Sequence, residues 1–187
     1  NGTVAGKALA PKDAIFSVAT FSLDPNETGG LTISGKALVT VLGDQTGLCA
    51  DATAQRQKKE SAMLFTVLTT LNPATFEFSA GATGTYTVAN EGAGAGGLTA
   101  GNLAIAGFTA TDSACASTVT DEQSGATAGT VTLKEADASE GGFAELEFDL
   151  KMGSQADSIS GKMTASYCAG LANLTTSFVT KTPPACQ

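Results

Sequence analysis

The stretch Phe143-Ala-Glu-Leu-Glu-Phe-Asp-Leu-Lys-Met152 decides the fold. Leu146, Phe148, Leu150 and Met152 fall on one face of this segment, and Glu145, Glu147, Asp149 and Lys151 on the other. That alternation has the period of a pleated strand, whose successive side chains point to opposite faces. A strand with one greasy and one charged face lies at the wall of a core, so Leu146, Phe148 and Leu150 are expected inside and Glu145, Glu147 and Asp149 in water.

The same reading extends in both directions. Leu31, Ile33, Ala37, Val39 and Val41 alternate with Thr32, Ser34, Lys36 and Thr40, and Phe76, Phe78 and Ala80 alternate with Thr75, Glu77 and Ser79. Met63 to Leu71 differs: Met63, Phe65, Val67 and Leu71 share one face while Leu64 and Leu68 occupy the other, which predicts a central strand covered on both sides. Phe65, Val67, Phe76 and Phe78 are accordingly expected in the core. Further strands are expected near Thr3–Leu9, Ile15–Leu23, Thr85–Ala89, Leu103–Thr109, Thr130–Leu133, Ile159–Tyr167 and Leu174–Thr180, about ten in all. Glycine-bearing polar turns separate them, among them Asp24–Gly30, Glu91–Gly101 and Asp137–Gly142.

Helix signals are scarce. Asp51 to Ser61 is the best stretch, with Asp51 placed to cap it, but it lacks an apolar stripe and reads as a short surface turn. Many short strands without βαβ alternation predict an all-β, antiparallel β-sandwich of jelly-roll type, with a closed barrel as the runner-up. Nothing in the composition of residues 1–187 marks an interior linker, so a single domain is expected.

Cys49, Cys115, Cys168 and Cys186 stand in a chain with no histidine, no tryptophan and one arginine. Without C-x-x-C spacing or histidine neither a tetrahedral zinc site nor a thioredoxin-type pair can be assembled, which leaves structural disulfides. Disulfides persist in oxidising surroundings, so the expected location is extracytoplasmic, secreted or anchored at a cell surface. Of the three connectivities, Cys49 with Cys115 and Cys168 with Cys186 is the pairing we expect. Apolar runs are too short to span a bilayer, and a signal or lipid-attachment segment would lie upstream of Asn1.

A net charge of −8 argues against nucleic acid as a partner, because phosphates would be repelled. Arg56, Lys58 and Lys59 form the only basic cluster, while eight acids crowd between Asp121 and Asp149. Calcium needs only oxygen ligands, and Asp24, Asn26 and Glu27, or Asp137 and Glu140, are the candidates to hold it, although neither set has EF-hand spacing. No other cofactor is expected.

Absence of histidine removes the usual general base, and no S-x-x-K or G-x-S-x-G occurs. Gly92, Gly94 and Gly97 spell G-x-G-x-x-G, but the following Leu98-Thr-Ala-Gly-Asn is no helix, so a pyrophosphate has no helix N-terminus to rest on. The remaining acid–base option is a carboxylate pair on one strand face, Glu145 with Glu147 or Glu147 with Asp149, whose spacing of roughly 6.5–7 Å falls between the retaining and inverting glycosidase separations and so does not forbid such chemistry. A sugar cleft also wants stacking aromatics, and the chain offers only Tyr86 and Tyr167 besides phenylalanine. Asn1, Asn26 and Asn173 head formal N-glycosylation sequons.

Gly84-Thr-Tyr-Thr-Val88, Gly141-Gly-Phe-Ala-Glu-Leu-Glu-Phe-Asp-Leu-Lys-Met-Gly-Ser154 and Ile159-Ser-Gly-Lys-Met-Thr-Ala-Ser-Tyr-Cys168 resemble strand and hairpin patterns of secreted lipoproteins of myxobacteria and related bacteria. The resemblance covers about a third of the chain and implies an exported β-sandwich, with no catalytic residue to carry over. An Ala-, Thr- and Gly-rich, acidic, disulfide-bonded composition is also similar to bacterial surface-fibre subunits. Chaperone–usher pilins, however, end in an alternating aromatic strand, where this chain ends in Thr182-Pro-Pro-Ala-Cys-Gln187.

The expected function is therefore a non-enzymatic binding or structural module of the cell surface, an adhesion protein whose partner is another protein or surface. A self-assembling, pilin-like fibre or coat subunit is the second reading, and a carboxylate-dependent glycan hydrolase the third.

Overall fold

The computed structural model describes residues 2–23, 33–72, 74–75, 77–88, 101–153, 157–172 and 185–186. Thirteen strands and two short helices are assigned there: β1 (Gly2–Val4), β2 (Lys7–Ala8), β3 (Asp13–Leu23), β4 (Ile33–Gly43), α1 (Leu48–Thr53), β5 (Arg56–Gln57), β6 (Ala62–Asn72), β7 (Glu77–Ala80), β8 (Gly84–Val88), β9 (Gly101–Ala110), α2 (Asp121–Ser124), β10 (Ala126–Ala136), β11 (Phe143–Met152), β12 (Asp157–Tyr167) and β13 (Ala185–Cys186).

These strands do not form a sandwich. Around the ring the order is β11, β10, β8, β9, β6, β7, β4, β3, β12, and β12 pairs back onto β11, which closes a nine-stranded barrel. Two antiparallel runs supply most of the wall, β8–β10–β11–β12 and β3–β4–β6–β9. They meet at two parallel seams of only two residue pairs each: Ile15 and Phe16 beside Ser166 and Tyr167, and Thr87 and Val88 beside Leu103 and Ala104. β7 is wedged into one end, where β4 and β6 splay apart around the single Gly35–Phe78 pair.

The alternation read from the sequence selects the inner face. Leu146, Phe148, Leu150 and Met152 point into the barrel with Phe16, Leu64, Leu68, Val131 and Leu133. β9 adds the small Ala104, Ala106 and Ala110 together with Phe108 to the same interior, a mixture of small and large groups that lets a narrow barrel fill with side chains. Tyr86, the centre of the Gly-Thr-Tyr-Thr-Val motif, is fully buried and its hydroxyl donates to the Ala82 carbonyl; burial raises its pKa. Thr40 and Thr66 face each other on β4 and β6 among these apolar groups, and their hydroxyls share a 2.7 Å hydrogen bond.

Several expectations need correction. Phe65, Val67 and Phe78 are only half-buried and Phe76 lies outside the described residues. β6 is covered on both sides as expected, but Leu64 and Leu68 take the barrel interior, while Phe65 and Val67 pack into a second cluster on the outer wall with Ile15, Val39 and Val41. Val4-Ala-Gly-Lys7 is a hairpin turn between β1 and β2, with Ala5 and Gly6 both at positive φ, rather than the middle of one strand. The strand expected at Leu174–Thr180 falls outside the described residues.

The disulfide pairing also differs. Cys49 is bonded to Cys168 and Cys115 to Cys186, with Cα separations of 5.6 and 5.8 Å. Cys168 follows β12 where the Cys168 N–H donates to the Phe16 carbonyl, so barrel closure at the β3–β12 seam delivers it to α1 rather than to Cys186. Cys186 sits on β13, which runs parallel to β5 and so reaches Cys115 instead.

Candidate functional site

α1 lies where the sequence promised only a surface turn beginning at Asp51. It starts three residues earlier, and Leu48 and Ala52, one turn apart, supply the buried stripe that the later window concealed. Gly47 has no side chain with which to cap the helix. Asp13 at the start of β3 does so from a distance, its Oδ2 accepting from the N–H groups of Gly47 at 2.9 Å and Leu48 at 3.0 Å. The Cys49–Cys168 bond then ties the helix to the β3–β12 seam.

Held this way, α1 stands off the outer wall and leaves an apolar pocket of about 140 Å³. Ile15, Val41, Met63 and Phe65 from β3, β4 and β6 form its floor, and Leu48 and Ala52 form its helical side. Gly107 on β9 permits this floor: a Cβ there would lie 2.3 Å from the tip of the Phe65 ring, so glycine leaves the ring room to reach across to β9.

The rim is polar. Asp51 comes from α1, Arg56 and Gln57 from β5, with Lys58, Gln45, Ser61 and Thr109 around them. Lys58 Nζ is 3.0 Å from Asp51 Oδ2 and also donates to the Thr46 carbonyl. Asp51 Oδ2 is buried and accepts no aligned hydrogen bond, so the ion pair is its compensation. Lys58 is positioned by its own backbone: its carbonyl accepts from the Ser61 hydroxyl at 2.8 Å and the Thr111 hydroxyl at 2.9 Å. β5 is fixed in turn by β13 and, beyond it, by Cys115–Cys186, so a disulfide braces each side of the pocket.

The carboxylates singled out in the sequence occupy the opposite kind of surface. Glu145 and Asp149 are exposed on the outer face of β11, as expected, and Glu147 between them is half-buried under two lysines. Lys162 on β12 donates to Glu147 and Lys134 on β10 lies 3.5 Å away, and together they hold its carboxyl below the usual glutamate range. A glycosidase acid must instead be held protonated near neutrality.

Asp137 and Glu140 share an exposed turn, where Asp137 Oδ1 accepts from the Ser139 hydroxyl at 2.7 Å. Among the described residues no group of three or more potential metal-binding side chains assembles. Asp24, Asn26 and Glu27 lie outside the described residues, as do Gly92, Gly94, Gly97 and the three sequon asparagines. Among the described residues no helix is long and apolar enough to cross a membrane.

Sequence reasoning missed Ile15, Val41, Leu48, Ala52, Met63 and Asp51 as partners in one site. The available signal was the doubly apolar strand at Met63 to Leu71, since a barrel strand with an apolar outer face needs a cover. Comparison with family models, curated proteins and solved structures gave no match, so the reading of this site rests on its geometry.

Proposed function

We propose that this protein is a non-enzymatic binding module that works outside the cytoplasm, with the apolar pocket beneath α1 as its ligand site. The pocket itself carries the proposal. An outer barrel wall is ordinarily polar; here it is apolar, incompletely covered, and surrounded by convergent polar groups, the combination typical of small-ligand sites. Two disulfides bracing it favour an oxidising compartment, and a rigid frame reduces the ordering cost of binding.

The other readings draw less support. Among the described residues every strand of the ring has a neighbour on both sides, although β3–β12 and β8–β9 meet over only two residue pairs each, so a strand-exchanging fibre subunit would offer no wholly open ring edge there. The ionised, lysine-flanked Glu147 opposes a hydrolase acid on β11.

A thermal-shift and NMR screen of small apolar compounds against wild type and Ala52→Leu tests the proposal. Ala52 is fully buried at the pocket wall, so leucine fills the space. Binding that perturbs Leu48, Met63 and Phe65 and is lost in Ala52→Leu is expected. A screen in which no compound perturbs these residues would sink the proposal, and a sizing column showing self-assembly would favour the fibre reading.

A further inference from the structure

We infer that the pocket selects small uncharged guests, each a hydrocarbon group the size of a six-membered ring or a short alkyl chain with at most one neutral polar group, and turns away ions of either sign. This rests on the pocket being the ligand site. Size sets the first limit. A volume of about 140 Å³ is close to the roughly 150 Å³ of an apolar protein cavity that accepts benzene, so a long acyl chain does not fit.

The walls set the second. Ile15, Val41 and Leu48 offer no hydrogen-bonding group, so whatever part of the guest reaches the floor must be hydrocarbon. Met63 beside them brings a flexible, polarisable thioether that packs against a ring or a chain alike. The rim sets the third, because its charges are already engaged within the protein. Among the described residues lining the pocket the charged ones are Asp51, Arg56 and Lys58. Lys58 directs its ammonium to Asp51 Oδ2 and to the Thr46 carbonyl, and Asp51 Oδ2 is itself buried. Arg56 likewise has a partner within the protein. An ion entering the mouth would shed part of its water without meeting an unmatched counter-charge. Pairing it with Lys58 or with Asp51 would strip the other of its partner, and a half-buried charge left alone is strongly destabilising. A hydroxyl or carbonyl on the guest meets no such obstacle, since Gln45 and Gln57 bring neutral amides to the rim, each able to donate and to accept.

Calorimetry on the whole protein at neutral pH, ranking benzyl alcohol against benzoate and benzylamine, and hexanol against hexanoate and hexylamine, tests the assignment. Each alcohol is expected to bind at least about tenfold tighter than either ion of the same skeleton, with the negative heat-capacity change of apolar burial. The gap should persist at about 0.5 M NaCl, since salt screens the forces between charges but leaves the loss of hydration in place. Lys58→Gln leaves Asp51 without its counter-charge, so benzylamine should gain about tenfold there while benzyl alcohol is unchanged. If that variant fails to fold, the wild-type ranking and its salt series decide the matter. Either ion binding as tightly as its alcohol, or benzylamine gaining nothing in a folded Lys58→Gln, would overturn the neutral-guest assignment and leave the pocket reading standing. Alcohol binding that persists unchanged in Ala52→Leu, or no binding by any of these compounds, would overturn the pocket reading itself.

Discussion

Cys49 on α1 and Cys168 at the end of β12 are 119 residues apart in sequence and 5.6 Å apart between Cα atoms. Their bond joins the helix that covers the pocket to the seam at which the barrel closes. Cys168 is buried at that junction, in the same outer cluster as Leu48 and Leu171.

Digestion without reduction should yield a Cys49–Cys168 peptide and a Cys115–Cys186 peptide. The two bonds close loops of 119 and 71 residues, for which the chain-entropy account gives roughly 5 and 4 kcal/mol. Replacing Cys49 and Cys168 together with serine should therefore lower stability at least as much as replacing the other pair, and should also abolish binding at the pocket. A Cys49–Cys115 peptide would contradict closure of the barrel at the β3–β12 seam.

The Thr40–Thr66 hydroxyl pair should show a sharp asymmetry between single and double substitution. Thr40→Val leaves the Thr66 hydroxyl orphaned in an apolar interior and should cost about 1–3 kcal/mol. Thr40→Val with Thr66→Val removes both partners and should cost less than the single change. Urea denaturation of the four proteins in the cycle measures the coupling; additive losses would show that the bond is not formed inside the barrel.

Register on β11 can be checked by two substitutions. Phe148→Ala should cost about 3–5 kcal/mol, since the ring lies in the barrel core. Glu145→Ala, three residues earlier on the solvent face, should change stability by no more than about 0.5 kcal/mol. Similar losses at both positions would place the strand one residue out of register.

Glu147 should titrate below the ordinary glutamate range because Lys162, and to a lesser degree Lys134, favour its charged form. A depressed acid contributes stability above its unfolded pKa, and loses that contribution as pH falls through the folded value. The effect belongs to the acid limb alone and should be screened by salt, since Lys162 is exposed and Glu147 is only partly covered. NMR titration of the Glu147 carboxyl should show its midpoint rising in Lys162→Met. An unchanged midpoint would mean that the ion pair does not persist in solution.

Local pattern determined a good deal. Period-two alternation at Leu146 to Met152 and at Ala37 to Val41 placed strands, and within β11 it separated the buried from the exposed face correctly, because side-chain direction in a strand follows from the backbone of that strand alone. The unpaired requirement of four cysteines without histidine likewise announced two disulfides before any partner was known. The hairpin motifs in β8, β11 and β12 turned out to be wall-building patterns, with Tyr86 and Phe148 filling the interior.

Only the tertiary structure decided between sandwich and barrel. One face in and one face out is the same alternation in both, and closure here depends on two seams of two residue pairs each, one of which joins β3 to β12 from opposite ends of the chain. Those seams bring Cys168 beneath Cys49, and with it the disulfide pairing and the seating of α1. The pocket arises one step later still, from Leu48, Met63, Phe65 and Lys58 meeting on an outer wall. No single segment encodes that meeting, because each of these side chains is explained locally by its own strand or turn and becomes a site only where the closed barrel sets them face to face.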